Sequence, residues 1–184
     1  MKPFSLRTYK DLLKAKAAGD MEFEKAISAL VPNMPKHKAE VYLIKLWNLS
    51  LAPEPMVKMT CACGQEHYVK PNFNNVQHED ESELVYPLGN FKLVLRYPTL
   101  LESKNKIDMV LNCIDYLDTN GQSLKMSELS EEEQDHFCSL ISEQDIDNIS
   151  ELLLKPKVVL GTPVKCCQPL VHVISGFKEF FKLM

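Results

Sequence analysis

The sequence predicts an α+β chain with an N-terminal helical region, an antiparallel β platform and a helical insert of about three helices. Three observations lead there. Apolar residues recur at helical spacing up to residue 48, alternate to about residue 96, return to helical spacing, and alternate again near the end. Proline or glycine marks most of these changes. The six cysteines include two close pairs, Cys61-Ala62-Cys63-Gly64 and Cys166-Cys167, about a hundred residues apart, with Cys113 and Cys138 standing alone.

Thr8 and Asp11 cap a predicted helix through Ala18, with Leu12, Leu13 and Ala17 on one side and Gly19 as its stop. Asp20 caps a second short helix carrying Phe23, Ala26, Ile27 and Leu30. Val31-Pro32-Asn33-Met34-Pro35 breaks the pattern, and Lys36 to Asn48 resumes it with Ala39, Leu43, Leu46 and Trp47. Residues 1–52 therefore form the helical region. Beyond Pro53 and Pro55 the period becomes two. Met56 to Cys61 and His67 to Lys70 flank the Cys-Ala-Cys-Gly turn as a hairpin, Asn72 to Glu83 is polar enough to be a loop, and Leu84 to Leu88 with Phe91 to Arg96 form a second hairpin across Gly89-Asn90.

Helices return after Pro98. Ile107, Val110, Leu111, Ile114 and Leu117 share one helical face up to a stop at Asn120-Gly121. Ser130 with Glu133 opens a helix carrying Phe137, Leu140 and Ile141, and Ser142 with Asp145 opens the next, with Ile146, Ile149, Leu152 and Leu153, ending at Lys155-Pro156. Strands follow at Val158 to Leu160, Val164 to Cys166 and Leu170 to Ile174, then a short apolar segment, Phe177 to Phe181. The platform thus uses residues 56–96 and 157–174, the insert residues 100–155, and residues 53–184 form one compact unit with the helical region.

With 184 residues and 45% apolar content the chain has enough material for an ordinary core. Its first residues, Met1 to Arg7, lack the apolar stretch of a signal peptide, and no run is long enough to span a membrane. The expected setting is a reducing cytoplasm, which favours a metal site over a disulfide framework. Residues 1–70 hold 11 Lys/Arg against 7 Asp/Glu, and residues 71–184 hold 10 against 18. No basic stripe with interleaved aromatics runs through the chain, which argues against a general nucleic-acid binder.

Structural zinc takes four soft ligands in a tetrahedron, and two cysteine pairs on two tight turns supply them with little chain strain. Cys61, Cys63, Cys166 and Cys167 are the candidate ligands, with His67 as a possible substitute, and the platform is zinc-ribbon-like on that reading. Gly64 permits a positive φ that aims backbone N–H groups at sulfur. Adjacent cysteines diverge in an extended chain, so Cys166 and Cys167 need a kink to reach one ion. Buried reduced thiols, disulfides and a decayed metal site remain open alternatives. In none of these is the cluster a reaction centre.

Other constellations have simpler explanations. Asp118-Thr119-Asn120-Gly121 lacks the calcium-loop ligands, since Tyr116 and Ser127 stand where carboxylates belong. Glu131-Glu132-Glu133 is a helix first turn, where carboxylates oppose the dipole. His136 cannot face Cys138 from the neighbouring helical position, and Cys113 and Cys138 are read as core residues. No phosphate loop, nucleophile elbow or dinucleotide fingerprint occurs, so the chain is read as non-enzymatic. Trp47, Phe177, Phe180 and Phe181 are read as core in preference to partner anchors.

Several segments occur in an order shared with one family: Leu95-Arg96-Tyr97-Pro98-Thr99-Leu100, Cys113-Ile114-Asp115 to Gly121, Ser127 to Glu133, the helix before Lys155-Pro156-Lys157, and Val164-Lys165-Cys166-Cys167 to Gly176 through Phe181. With Cys61-Ala62-Cys63-Gly64 after a helical segment, the chain from about Thr60 onward resembles the baseplate hub and hub-assembly proteins of T-even-type contractile-tailed bacteriophages. The resemblance implies a non-enzymatic virion or assembly component, made in the infected host's cytoplasm and acting with other baseplate hub or tail proteins, without nucleic acid or membrane. It also implies a second knuckle of the form Cys-x-x-Cys-Gly. Here that knuckle is contracted to Cys166-Cys167 and followed by Gln168-Pro169. Two rival readings are a zinc-ribbon nucleic-acid binder, for which only Lys58, Lys70 and Lys165 lie near the knuckles, and a thiol-dependent enzyme.

Overall fold

The computed structural model describes residues 1–119 and 121–183, except the side chain of Phe181. In chain order its elements are α1 (Leu6–Ala18), α2 (Asp20–Ser28), α3 (Lys36–Leu51), β1 (Val57–Thr60), β2 (Glu66–Val69), β3 (Gln77–His78), β4 (Val85–Leu88), β5 (Phe91–Leu95), α4 (Lys106–Asn112), β6 (Ile114–Thr119), β7 (Gln122–Leu124), α5 (Glu131–Leu140), α6 (Glu143–Leu154), β8 (Val158–Lys165), β9 (Pro169–Ser175) and α7 (Phe177–Leu183). The α+β class is as the sequence predicts. Among the described residues, no helix is long and apolar enough to cross a membrane.

The chain divides into two compact units, residues 1–79 with 157–184, and residues 80–156. In the first unit Ser5 caps α1 by accepting the Thr8 amide at 3.2 Å, three residues ahead of the cap the sequence suggests, and Gly19 ends the helix with φ 131°. Asp20 is the first residue of α2 and Gly19 takes its cap position. Pro35 stands at the start of α3, which buries Ala39, Leu43, Ile44 and Leu46. The three sheet strands run β3-β8-β9, all antiparallel. Pro163 sits inside β8 without breaking a ladder, because β3 pairs only with Val158 and Val159 and leaves that side of Pro163 unpaired.

Residues 72–83, expected as a loop, contribute to this core. Phe73 lies in a short 3-10 turn and is buried with Val76, and β3 pairs with β8. The core cluster is Ile44, Phe73, Val76, Val158, Leu160, Ile174 and Phe180. The two tail strands predicted at 158–160 and 164–166 are one strand, β8, and the final apolar segment is α7. The hairpin β1-β2 is a separate two-stranded sheet, with Val57 opposite Val69 and Thr60 opposite Glu66.

The second unit corrects two expectations. The hairpin β4-β5 belongs not with the 157–174 strands but with β6 and β7, in a four-stranded antiparallel sheet of order β4-β5-β6-β7. The helix predicted over 107–117 stops at Asn112, and Ile114–Thr119 is β6, paired with β5. The cause is a double pattern: Ile114 and Leu117 suit helical spacing, yet Ile114-Asp115-Tyr116 also alternates, and pairing with the apolar β5 decides in favour of strand. Ile107, placed by the sequence on one helical face with the buried Val110, is 56% exposed. The predicted stop at Asn120 lies outside the described residues. The cluster of Leu93, Leu95, Met109, Val110, Cys113, Ile149 and Leu153 forms the centre of this unit's core.

Both predicted capping boxes form. Ser130 and Glu133 exchange hydrogen bonds at the start of α5, and Ser142 and Asp145 do so at α6, where the Tyr86 hydroxyl also donates to Asp145 Oδ1 at 2.7 Å. Arg96 grips Glu102 with two bonds, Nη2 to Oε1 at 2.7 Å and Nη1 to Oε2 at 3.0 Å, and the Thr99 amide adds a third at 2.7 Å. These hold the Glu102 carboxyl down to about 2, chiefly through the Arg96 hydrogen bonds. A depressed carboxyl stabilises the fold above its unfolded value and ceases to as it protonates. Acid unfolding of residues 80–156 should therefore steepen between pH about 4.5 and about 2, and Glu102→Gln should flatten that interval in a pH series of urea melts.

Candidate metal centre

The first knuckle is built by a tight turn between β1 and β2. Gly64 has φ 87°, its amide donates to the Cys61 carbonyl at 2.8 Å, and the Cys61 amide donates to the Gln65 carbonyl at 2.9 Å. A side chain at position 64 would be strained by that φ whatever the space. The turn also directs the Gln65 backbone N–H at the Cys63 sulfur, the arrangement expected around a thiolate. The second knuckle joins β8 to β9. Strand pairing ends at Lys165 opposite Pro169, and residues 166–168 bend between them, which supplies the kink that adjacent cysteines require.

The two turns meet. Cys61 Sγ lies 3.5 Å from Cys167 Sγ and Cys63 Sγ lies 3.5 Å from Cys166 Sγ, and all four sulfurs fall within 4.8 Å of one another. All four are free thiols. A tetrahedron of sulfurs each about 2.3 Å from an ion has edges of about 3.8 Å, so the separations fit a four-thiolate cation site after small adjustments. Cys61 is buried, Cys166 half-buried, and Cys63 and Cys167 exposed, which gives an ion a path inward.

Charge explains why such a cluster favours a cation. Cys63 is drawn down to about 7, first by the Gln65 N–H and then by the neighbouring thiols. Loss of water pushes Cys166 up to about 12, and Cys167 is raised by its hydrogen bonds to Cys61 and Cys63. One thiolate forms readily and the next meets its charge. A divalent cation removes that repulsion, and its binding would release the remaining protons.

All four cysteines predicted as ligands are thus brought together. His67 is not among them: it lies on β2 opposite Met59, and its Nε2 is enclosed without a hydrogen-bond partner. Sequence reasoning missed Gln65, whose side-chain oxygen lies 3.5 Å from Cys166 Sγ and whose N–H serves Cys63. Its position directly after the knuckle glycine was the available signal. Cys113 is fully buried and pushed up to about 11 by burial, as a core thiol should be. Cys138, also read as core, is exposed on α5.

This is an α+β chain in which two cysteine knuckles converge on four thiols that could hold a metal ion. The chain belongs to the family described as T4 bacteriophage base plate protein, whose model matches residues 1–182. It is 35% identical, over a 189-residue alignment covering 98% of this chain and 91% of its relative, to the baseplate hub assembly protein gp26 of Enterobacteria phage T4. No solved structure shows significant similarity to it.

Proposed function

We propose that the protein is a non-enzymatic structural or assembly component of a phage tail baseplate hub, working through contacts with other hub or tail proteins. The observation that carries this reading is similarity along nearly the whole chain to a protein named for baseplate hub assembly. Its place of action is the infected host's cytoplasm during assembly and the tail baseplate itself. In this reading Cys61, Cys63, Cys166 and Cys167 hold one structural zinc ion, which fixes two hairpins and takes no part in chemistry.

The nucleic-acid alternative loses support at the residues that prompted it. Lys58 is paired with Glu66 and Lys70 with Glu54, each at 2.6 Å, so two of the three lysines near the knuckles are already compensated. A thiol enzyme would need a base beside its nucleophile, whereas the groups around Cys63 are three further thiols and an amide.

The test is genetic and biochemical. A phage with this gene disrupted should accumulate incomplete baseplates, and the tagged protein should co-purify with a hub or tail protein when the candidates are co-expressed. Normal tail yield without the gene, together with recovery of free protein alone from every co-expression, would refute the assignment.

A further inference from the structure

The two units carry opposite charge. Residues 1–79 with 157–184 hold 15 Lys/Arg against 9 Asp/Glu, and residues 80–156 hold 6 against 16. Part of the imbalance lies on two surfaces that also expose apolar residues. In the first unit, α1 bears Arg7, Lys10, Lys14 and Lys16 against Asp11 alone, and its outer face exposes Leu6 at 70% and Leu13 at 49%. These leucines are seven positions apart, hence on one side of the helix and about 10 Å from each other, with Lys10 between them. Only Leu12 of this helix is buried.

In the second unit a groove of about 570 Å³ is floored by Ile107, Leu111, Ile141 and Ile146, with Glu143 and Asp147 on its rim. Glu143, Asp147 and Glu151 follow one another along α6 at intervals of four, a single acidic edge. Lys106 answers only part of this charge: it bonds Asp147 at 2.6 Å while also lying in the field of Glu143 and Glu151. The groove therefore suits a helix with apolar residues on one side and lysines beside them.

We infer that this groove receives α1 of a second copy of the chain, Leu6 and Leu13 entering among Ile107, Leu111, Ile141 and Ile146, and Lys10 and Lys14 meeting the acidic edge of α6. The occupant is chosen by charge and shape present on the same molecule. A like-charged helix would be repelled, and an uncharged one would leave the acidic edge unanswered. The contact joins two different surfaces, so it is heterologous and propagates from copy to copy unless a ring closes it. It stands apart from the baseplate assignment, since it concerns this chain alone.

A heterologous contact has a signature that a two-fold contact lacks. Leu13→Glu spoils the helix and keeps the groove, whereas Ile107→Glu spoils the groove and keeps the helix. Both positions are exposed, so both variants should fold, as far-UV circular dichroism will check. In sedimentation-velocity runs at high micromolar concentration the wild type should associate in about 50 mM salt and weaken at least tenfold in about 0.5 M salt. Each variant alone should be monomeric, and an equimolar mixture should give a discrete 1:1 dimer through the one intact helix and the one intact groove. A wild type that stays monomeric at low salt overturns the inference. So does an associating wild type whose variants still associate alone, or whose mixed variants stay monomeric. The outcome leaves the gene-disruption result untouched.

Discussion

Replacing Cys61 by serine, or stripping zinc with a strong chelator, is expected to free the β1-β2 hairpin and lower the melting of the first unit by roughly 10 °C or more, with residues 80–156 unaffected. The hairpin explains the direction. It is an isolated two-stranded sheet, a form marginal in water without further support, and Cys61 is its buried anchor. The magnitude follows from loop closure. Once β3 has paired with β8, a metal held by the four thiols would close a remaining path of about 20 residues, for which cross-link entropy is about 3 kcal/mol. Amide exchange should show protection lost across residues 58–69 and retained in β4, β5 and β6. Purified protein should carry one zinc per chain, and cobalt substitution should give the intense thiolate-to-metal absorption of a four-sulfur site. Protein isolated from zinc-supplemented medium with no metal, and with a Cys61→Ser melt equal to wild type, would sink the staple.

The second large effect is expected at Phe180. Its side chain is fully buried on α7, with its ring 6.2 Å from that of Phe73, in the core that also contains Ile44, Val158 and Leu160. Phe180→Ala should cost about 3–5 kcal/mol, because the rigid strands around it cannot collapse into the space left behind. That is a large share of a domain's total stability. Unfolding should be confined to the first unit, since the second has its own core around Leu93, Val110 and Ile149. Calorimetry of the variant should show one transition displaced downward and one near its original position. A single transition displaced as a whole would instead mean that the two units unfold together.

How much of this was legible in the sequence depended on the range of the interaction that decides each element. Ser130 with Glu133 and Ser142 with Asp145 announce their helices because a capping box is satisfied within four residues. The Gly89-Asn90 turn announces β4 and β5 for the same reason. β6 was hidden because its apolar residues satisfy two periods, and only its partner β5 selects one. Phe73 and β3 were hidden because the strand that covers them lies about 80 residues later, in β8. That the four cysteines would be brought together was legible in their two close pairs, but the geometry of the cluster was not. Whether Cys166 and Cys167 can turn toward one point depends on where the β8-β9 ladder stops, and a ladder's register is not written in three residues. His67 lies outside the thiol cluster for a related reason: its strand position opposite Met59 fixes where it can reach.

The closing of β3 onto β8 has a temporal side. The Glu79 amide donates to the Lys157 carbonyl at 2.9 Å and the Lys157 amide donates to Glu79 Oε2 at 3.1 Å, so the residues at which the chain leaves the first unit and returns to it are bonded to each other. On the ribosome, residues 1–79 emerge before β8, β9 and α7 exist. The intervening 77 residues take roughly 4–15 s to synthesise at ordinary rates, and they have a hydrophobic core of their own that needs none of β8, β9 or α7. The apolar side of α3 meanwhile waits for a strand not yet made. The inserted unit is thus encoded whole before the one that encloses it in sequence, and a chain that ended near residue 156 would hold every strand of the second unit's sheet but only β3 of the first unit's three-stranded sheet.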